Sequence, residues 1–153
     1  MKTTEEIKTD LESKTGTSIT VQGEALMVPK EKLFDVAKYL KDTPDYQMDY
    51  LSSVTGTDYK DGLEVTYHLY SIAKKEGPVV LKTKTDREKG VVPSLTPLWR
   101  GAEFQEREAY DLVGIHFEGH PDLRRILMWD GFEHYPLRKD YTQEDQDRNP
   151  EQF

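Results

Sequence analysis

The 153-residue chain is long enough for one domain with its own core and short for two. A formal net charge of -8 and a pI near 5.0 exclude the basic footprint with which nucleic-acid binders grip phosphate. The absence of cysteine excludes disulfides, thiolate nucleophiles and cysteine-ligated iron-sulfur clusters, and no apolar run approaches the roughly 20 residues that cross a bilayer.

The first stretch, "MKTTEEIKTDLESK", sets Glu5, Glu6, Asp10 and Glu12 among lysines. It lacks the apolar core of a signal peptide and the acid-poor character of a transit peptide, so the chain is expected to stay where it is made and to meet a membrane only through partners. Ile7 and Leu11, four apart, predict a short amphipathic helix. Two short strands follow, Ser18 to Gln22 and Ala25 to Val28, turning at Gly23 and Glu24, with Pro29 closing the second. From Lys30 to Lys41 the spacing of Leu33, Phe34, Val36, Ala37 and Leu40 predicts a helix with one buried face, ended by "DTPD" at Asp42 to Asp45. The centre is strand territory. Met48 to Tyr59, Leu63 to Ala73 and Pro78 to Asp86 are rich in β-branched and aromatic residues, with turns at Lys60 to Gly62 and Lys74 to Gly77. Leu63, Val65, Tyr67, Leu69 and Ser71 alternate with Glu64, Thr66, His68 and Tyr70, so one sheet face is more buried than the other. The order of elements predicts an α+β fold, a mixed sheet with helices on one side.

Thr96 as N-cap and Pro97 at the first helical position predict a third helix, running to about Val113 and stopped by Gly114. Residues 1–114 then form the α+β domain and residues 115–153 an extended segment, broken by Gly119, Pro121, Gly131, Pro136 and Pro150. That segment carries Ile126, Leu127, Met128, Trp129, Phe132, Tyr135 and Leu137, too apolar for a solvated linker, so something must cover it. The acidic end, Glu144 to Phe153, is expected to fray.

On the third helix Trp99, Ala102, Glu106, Ala109 and Val113 share a face, which puts a carboxylate in the apolar stripe. Such a group must be paired or carry a raised pKa. Arg107 lies four residues from both Glu103 and Asp111 and is expected to pair along the helix. An enzymatic alternative takes Glu106 and Glu108 as acid and base together with His116 and His120. A metal alternative takes His116, Glu118 and His120 as ligands, but Gly114, Gly119 and Pro121 oppose the helix that this spacing requires. His68 is expected to be structural, and His134 has no evident companion.

"EREAYDLVGIHFEGHPDLRRIL", Glu106 to Leu127, resembles the signature of the C subunit of proton-pumping NADH:quinone oxidoreductase, respiratory complex I, including the related chloroplast and cyanobacterial subunits. The resemblance rests on Glu106, Arg107, Glu108, Asp111, Gly114, His120, Arg124, Ile126 and Leu127 at the family's spacing. It continues through Gly131, Phe132 and "PLRKDY" at Pro136 to Tyr141, and "SLTPLWRGAEFQ", Ser94 to Gln105, looks like the family's approach to the helix. Glu133, His134 and Tyr135 ahead of Pro136, and Tyr141 in place of Phe, depart from the pattern. The resemblance implies a non-catalytic structural subunit of the hydrophilic arm, peripheral on the cytoplasmic face of the membrane or its organellar equivalent. It implies no cofactor on this chain; flavin, iron-sulfur clusters and quinone belong to partner subunits. Residues 115–153 would wrap a hydrogenase-like large quinone-site subunit, beside iron-sulfur subunits. The implied junction comprises Glu106, Arg107, Glu108, Asp111, Gly114, His120, Pro121, Arg124, Arg125, Leu127, Arg138, Lys139 and Asp140, with Glu106 as one anchor. Relatives also occur in membrane-bound hydrogenases and deazaflavin-dependent dehydrogenases, which leaves the electron donor open.

Overall fold

The computed structural model describes residues 1–142. Helix α1, Thr4–Thr15, opens on a capping box in which the Thr3 hydroxyl accepts from the Glu6 N–H while Glu6 reaches back to the Thr3 N–H. Strands β1, Thr20–Gln22, and β2, Ala25–Met27, make a hairpin. A 3-10 turn at Lys30–Lys32 leads into α2, Leu33–Asp42, whose Leu33, Val36, Ala37 and Leu40 are buried. Three ten-residue strands follow: β3, Tyr50–Tyr59, β4, Gly62–Ser71, and β5, Glu76–Thr85. Then come β6, Val91–Pro93, helix α3, Ala102–Val113, and β7, His116–Glu118.

The main sheet has the order β1-β2-β5-β4-β3, antiparallel except for the parallel pair β2 and β5, so the expected mixed sheet is present. Leu63, Val65, Tyr67 and Leu69 of β4 lie between Val54 of β3 and Val79 and Leu81 of β5, and one apolar cluster joins this face to all three helices. The opposite face carries Thr55, Thr66, His68, Tyr70 and Lys84 at or near solvent. Glu64, in register with that open face, is nevertheless buried because the Lys82 ammonium lies over it at 3.0 Å. His68 lies half-buried on this face, its Nδ1 2.9 Å from the Ser53 hydroxyl.

Two boundaries move. The third helix starts at Ala102 rather than behind a Thr96 cap. Trp99 is drawn into the core with its indole N–H on the Met48 carbonyl, and the Leu95 carbonyl accepts from both Leu98 and Trp99, so the chain makes a separate turn first. The domain also reaches past residue 114: Ile115 and Phe117 are wholly buried and β7 pairs in parallel with β6, because these two apolar residues complete the core. The acidic end, Glu144 to Phe153, lies outside the described residues.

Candidate functional site

Helix α3 carries two buried carboxylates and a buried arginine, and two of the three, Arg107 and Asp111, face the chain's own C-terminal segment. Asp111 is the hub. One carboxylate oxygen accepts from the consecutive backbone N–H groups of Ile126, Leu127 and Met128 at 3.1, 2.7 and 2.9 Å, a concave run of amides of the kind that binds anions. The other accepts from the Arg125 guanidinium at 2.8 Å. Burial by itself would raise the Asp111 pKa, but these donors outweigh it and hold the carboxyl below its usual range. Arg125 also donates to the Asp111 and His134 carbonyls, and its guanidinium lies 5.5 Å from the Phe132 ring and 5.2 Å from the Tyr135 ring. His134 therefore has companions, through its carbonyl and through its ring against Phe132 and Tyr141.

Among the described residues Arg107 forms no salt bridge with Glu103 or Asp111 on its own helix, where its guanidinium instead lies 5.6 Å from the Phe104 ring. Its Nε and Nη2 donate to the Arg124 and Arg125 carbonyls, each at 3.0 Å, because its side chain leaves α3 toward the incoming segment. His120 accepts from the Asp122 N–H at Nδ1, so Nε2 carries the proton that it donates to the Glu103 carbonyl at 2.9 Å. Arg124 is exposed and pairs with Asp122.

The far end of the segment is held at the C-terminus of α3. Gly114, at φ 81, closes the helix, and a β-carbon there would sit 2.7 Å from the Tyr135 ring and 2.8 Å from Arg138 Nη2. Arg138 donates to the Val113 carbonyl, at the end of the helix where carbonyls lack partners within the helix, at 2.7 Å while lying over the Tyr135 ring, and the Leu137 N–H donates to the Leu112 carbonyl. The Lys139 N–H then donates to buried Asp58 at 2.8 Å, and Arg87 joins Asp58 to Asp140. Motif reading misses Asp58 and Arg87. The signal available is periodic: Asp58 follows Val54 and Gly56 at inward positions of β3, a carboxylate in a buried register.

Glu106 belongs elsewhere. It is wholly buried on the core side of α3, accepting from the Ser94 hydroxyl at 2.6 Å and the Leu95 N–H at 2.7 Å, so it anchors the turn before its own helix and not the C-terminal segment. Burial, only partly offset by those two donors, pushes its pKa up to about 7. Glu108 is exposed on a shallow groove shared with Ser53, Thr55 and Leu137. Pro121 and Leu127 are exposed, as are His116 and Glu118 on β7. The geometry thus separates Glu106 from Glu108 and engages both ring nitrogens of His120, which leaves the acid-base and metal alternatives without a common centre. Among the described residues no group of three or more histidine, aspartate or glutamate side chains has metal-binding geometry.

With its backbone tied to α3, the segment turns apolar side chains outward. Leu127, Trp129 and Leu137 are 60, 59 and 60% exposed, and Ile126 is 37% exposed. No helix among the described residues is long and apolar enough to cross a membrane.

Residues 26–147 match the family described as respiratory-chain NADH dehydrogenase, 30 Kd subunit. The chain is 41% identical over 134 residues to the NADH-quinone oxidoreductase C subunit of Moorella thermoacetica, covering 86% of each. It is 46% identical over 128 residues to the NADH-quinone oxidoreductase C/D subunit of Phocaeicola vulgatus, 83% of this chain but 24% of that protein, and it spans 55 to 65% of several other C-subunit relatives. Among solved structures, a chain of the membrane-bound sulfane sulfur reductase, an archaeal respiratory membrane complex, superposes with a TM-score of 0.71 at 27% identity, over 90% of this chain and 85% of that one.

Proposed function

This chain belongs to the family of the respiratory-chain NADH dehydrogenase 30 kDa subunit, and on that premise we propose that it is a non-catalytic structural subunit in the hydrophilic arm of a complex-I-type NADH:quinone oxidoreductase. It supports electron transfer to quinone, coupled to proton translocation, by holding neighbouring subunits in register. Flavin, iron-sulfur clusters and quinone sit in those neighbours. The observation that carries this reading is the C-terminal segment, a backbone pinned by Arg107, Asp111, Gly114 and Arg138 that presents Leu127, Trp129 and Leu137 to the outside. Exposed aromatic and aliphatic side chains on a fixed backbone are an interface whose ordering cost is already met inside the subunit.

The partner is a hydrogenase-like large quinone-site subunit, with iron-sulfur subunits beside it. The Phocaeicola relative supports a D subunit as that neighbour, since its name joins C and D on one chain of which this protein matches the lesser part. Membrane association then runs through the complex, on its cytoplasmic face. A second reading, the equivalent subunit of another membrane-bound respiratory enzyme such as a hydrogenase or a deazaflavin-dependent dehydrogenase, draws support from the likeness to the sulfane sulfur reductase chain.

Affinity purification of the tagged chain from its host in mild detergent tests the proposal. The large subunit and iron-sulfur subunits are expected to come with it, and flavin-binding companions distinguish an NADH-linked complex from the second reading. Trp129→Ser, on an exposed side chain, should leave the chain folded and lower the yield of complex by roughly tenfold or more, the scale of an interface hot spot. A compact wild-type chain that purifies alone would sink the assembly reading.

A further inference from the structure

The turn between β6 and α3 contains a line of hydroxyls that ends on a buried acid. Glu106 Oε2 lies 2.6 Å from Ser94 Oγ, and Ser94 Oγ lies 2.8 Å from Thr96 Oγ1. Glu106 is wholly buried, Ser94 is 3% exposed, and Thr96 is partly open to solvent. The line therefore runs from core to surface.

Both directions of donation along it are chemically complete. With Glu106 ionised, Thr96 donates to Ser94 and Ser94 donates to the carboxylate. With Glu106 neutral, its carboxyl proton goes to Ser94 Oγ and the Ser94 hydroxyl turns to Thr96 Oγ1. In both cases the Leu95 N–H stays on Oε1 at 2.7 Å and the Thr96 N–H stays on Ser94 Oγ at 3.2 Å. Neither state leaves a member of the line unpaired, so one architecture accommodates both.

Nothing nearby fixes the charge. Glu106 forms no salt bridge among the described residues, and the ionisable groups on the elements packed around it are otherwise engaged. Lys41 of α2 gives its ammonium to the Leu98 carbonyl, Arg107 on α3 faces the C-terminal segment, and the Glu103 and Glu118 side chains are at or near solvent. Tyr67 of β4 is the exception, wholly buried, its hydroxyl without a hydrogen-bond partner among the described residues and its own ionisation opposed by burial first and by the Glu106 carboxylate second.

We propose that Glu106, Ser94 and Thr96 form a buried proton-binding site, with Glu106 as the acceptor and the two hydroxyls as its route to solvent. In the uptake step a solvent proton bonds to Thr96 Oγ1, the proton Thr96 held passes to Ser94 Oγ, and the proton Ser94 held passes to Glu106 Oε2. One proton is gained, the carboxylate becomes neutral, and no other bond changes. The raised carboxyl pKa noted above is consistent with occupancy that changes near neutral pH.

A carbon-13 carboxyl NMR titration of the full-length chain, labelled at glutamate, tests this directly. One resonance should titrate near pH 7 instead of the usual 4.5 and should vanish in Glu106→Gln. Ser94→Ala removes a donor to the charged form, so the midpoint should rise further. Thr96→Val should leave the midpoint close to that of the wild type and slow proton exchange, broadening or splitting the resonance. If no glutamate titrates above the usual value of about 4.5, Glu106 is a cap that is already ionised at neutral pH and the site does not exist. If Thr96→Val leaves the line shape untouched, the hydroxyl route is overturned. Should Glu106→Gln fail to fold, the Ser94→Ala shift alone decides between an exchangeable proton and a fixed charge. The titration is read without partner subunits, so its outcome is separate from that of the purification.

Discussion

Glu106 and Asp111 lie five residues apart on one helix, both with no exposed surface, yet their carboxyl groups are driven in opposite directions. Burial opposes the charge on each. Asp111 is met by a guanidinium and three backbone N–H groups, enough to keep it ionised, whereas Glu106 has one hydroxyl and one N–H and, among the described residues, no cation. The balance between burial and the number and charge of the donors decides the sign. The two sides of α3 consequently do different work: one side closes the core, and the other holds the segment that precedes residue 142.

The largest effect is expected at Asp111. Asp111→Asn should cost about 3–5 kcal/mol in docking of the segment, because it leaves the Arg125 charge and the amide run without their anion. Hydrogen exchange at Ile126, Leu127 and Met128 measures it, and unchanged protection there would show that the amides do not depend on the carboxylate.

The two carboxylates should also show opposite pH responses. Glu106 has a folded pKa above its unfolded one, so its contribution to stability is present below about 4.5 and lost as pH rises toward about 7. Asp111 has a folded pKa below its usual 3.8, so its contribution is present above that value and lost as pH falls through the lower folded value. Against Glu106→Gln, the wild type should therefore lose on the order of 3 kcal/mol of relative stability between about pH 4.5 and about pH 7. Denaturant unfolding of the pair across that range reads the difference, and a constant offset would remove the contrast.

A smaller effect is expected at Gly114. Gly114→Ala places a β-carbon against Tyr135 and Arg138 at positive φ and should cost roughly 1–2 kcal/mol from the backbone alone. Thermal unfolding measures the loss, and enhanced exchange at Leu137 and Arg138 would locate it at the far clamp. An unaltered midpoint would mean that this end of the segment is not held.

Much of this was legible from residue order. The alternation through Leu63 to Ser71 specifies which face of β4 is buried, since period 2 allows no other reading once one face is apolar. The spacing of Leu33, Val36, Ala37 and Leu40 specifies α2 in the same way, and Glu106 in an apolar stripe announces a perturbed carboxylate. Periodicity reports a side chain's direction relative to its own element, and that information is local.

Tertiary structure alone decided the partners. Arg107 has carboxylates four residues away on both sides and chooses carbonyls 17 and 18 residues downstream, because the returning segment lies over it and excludes water from that side. Asp58 finds a backbone amide 81 residues away. Ile115 and Phe117 join the core only because β7 meets β6. Such choices depend on which backbone donors and acceptors the fold brings within hydrogen-bond reach, a property of the path of the chain and of no single stretch of it.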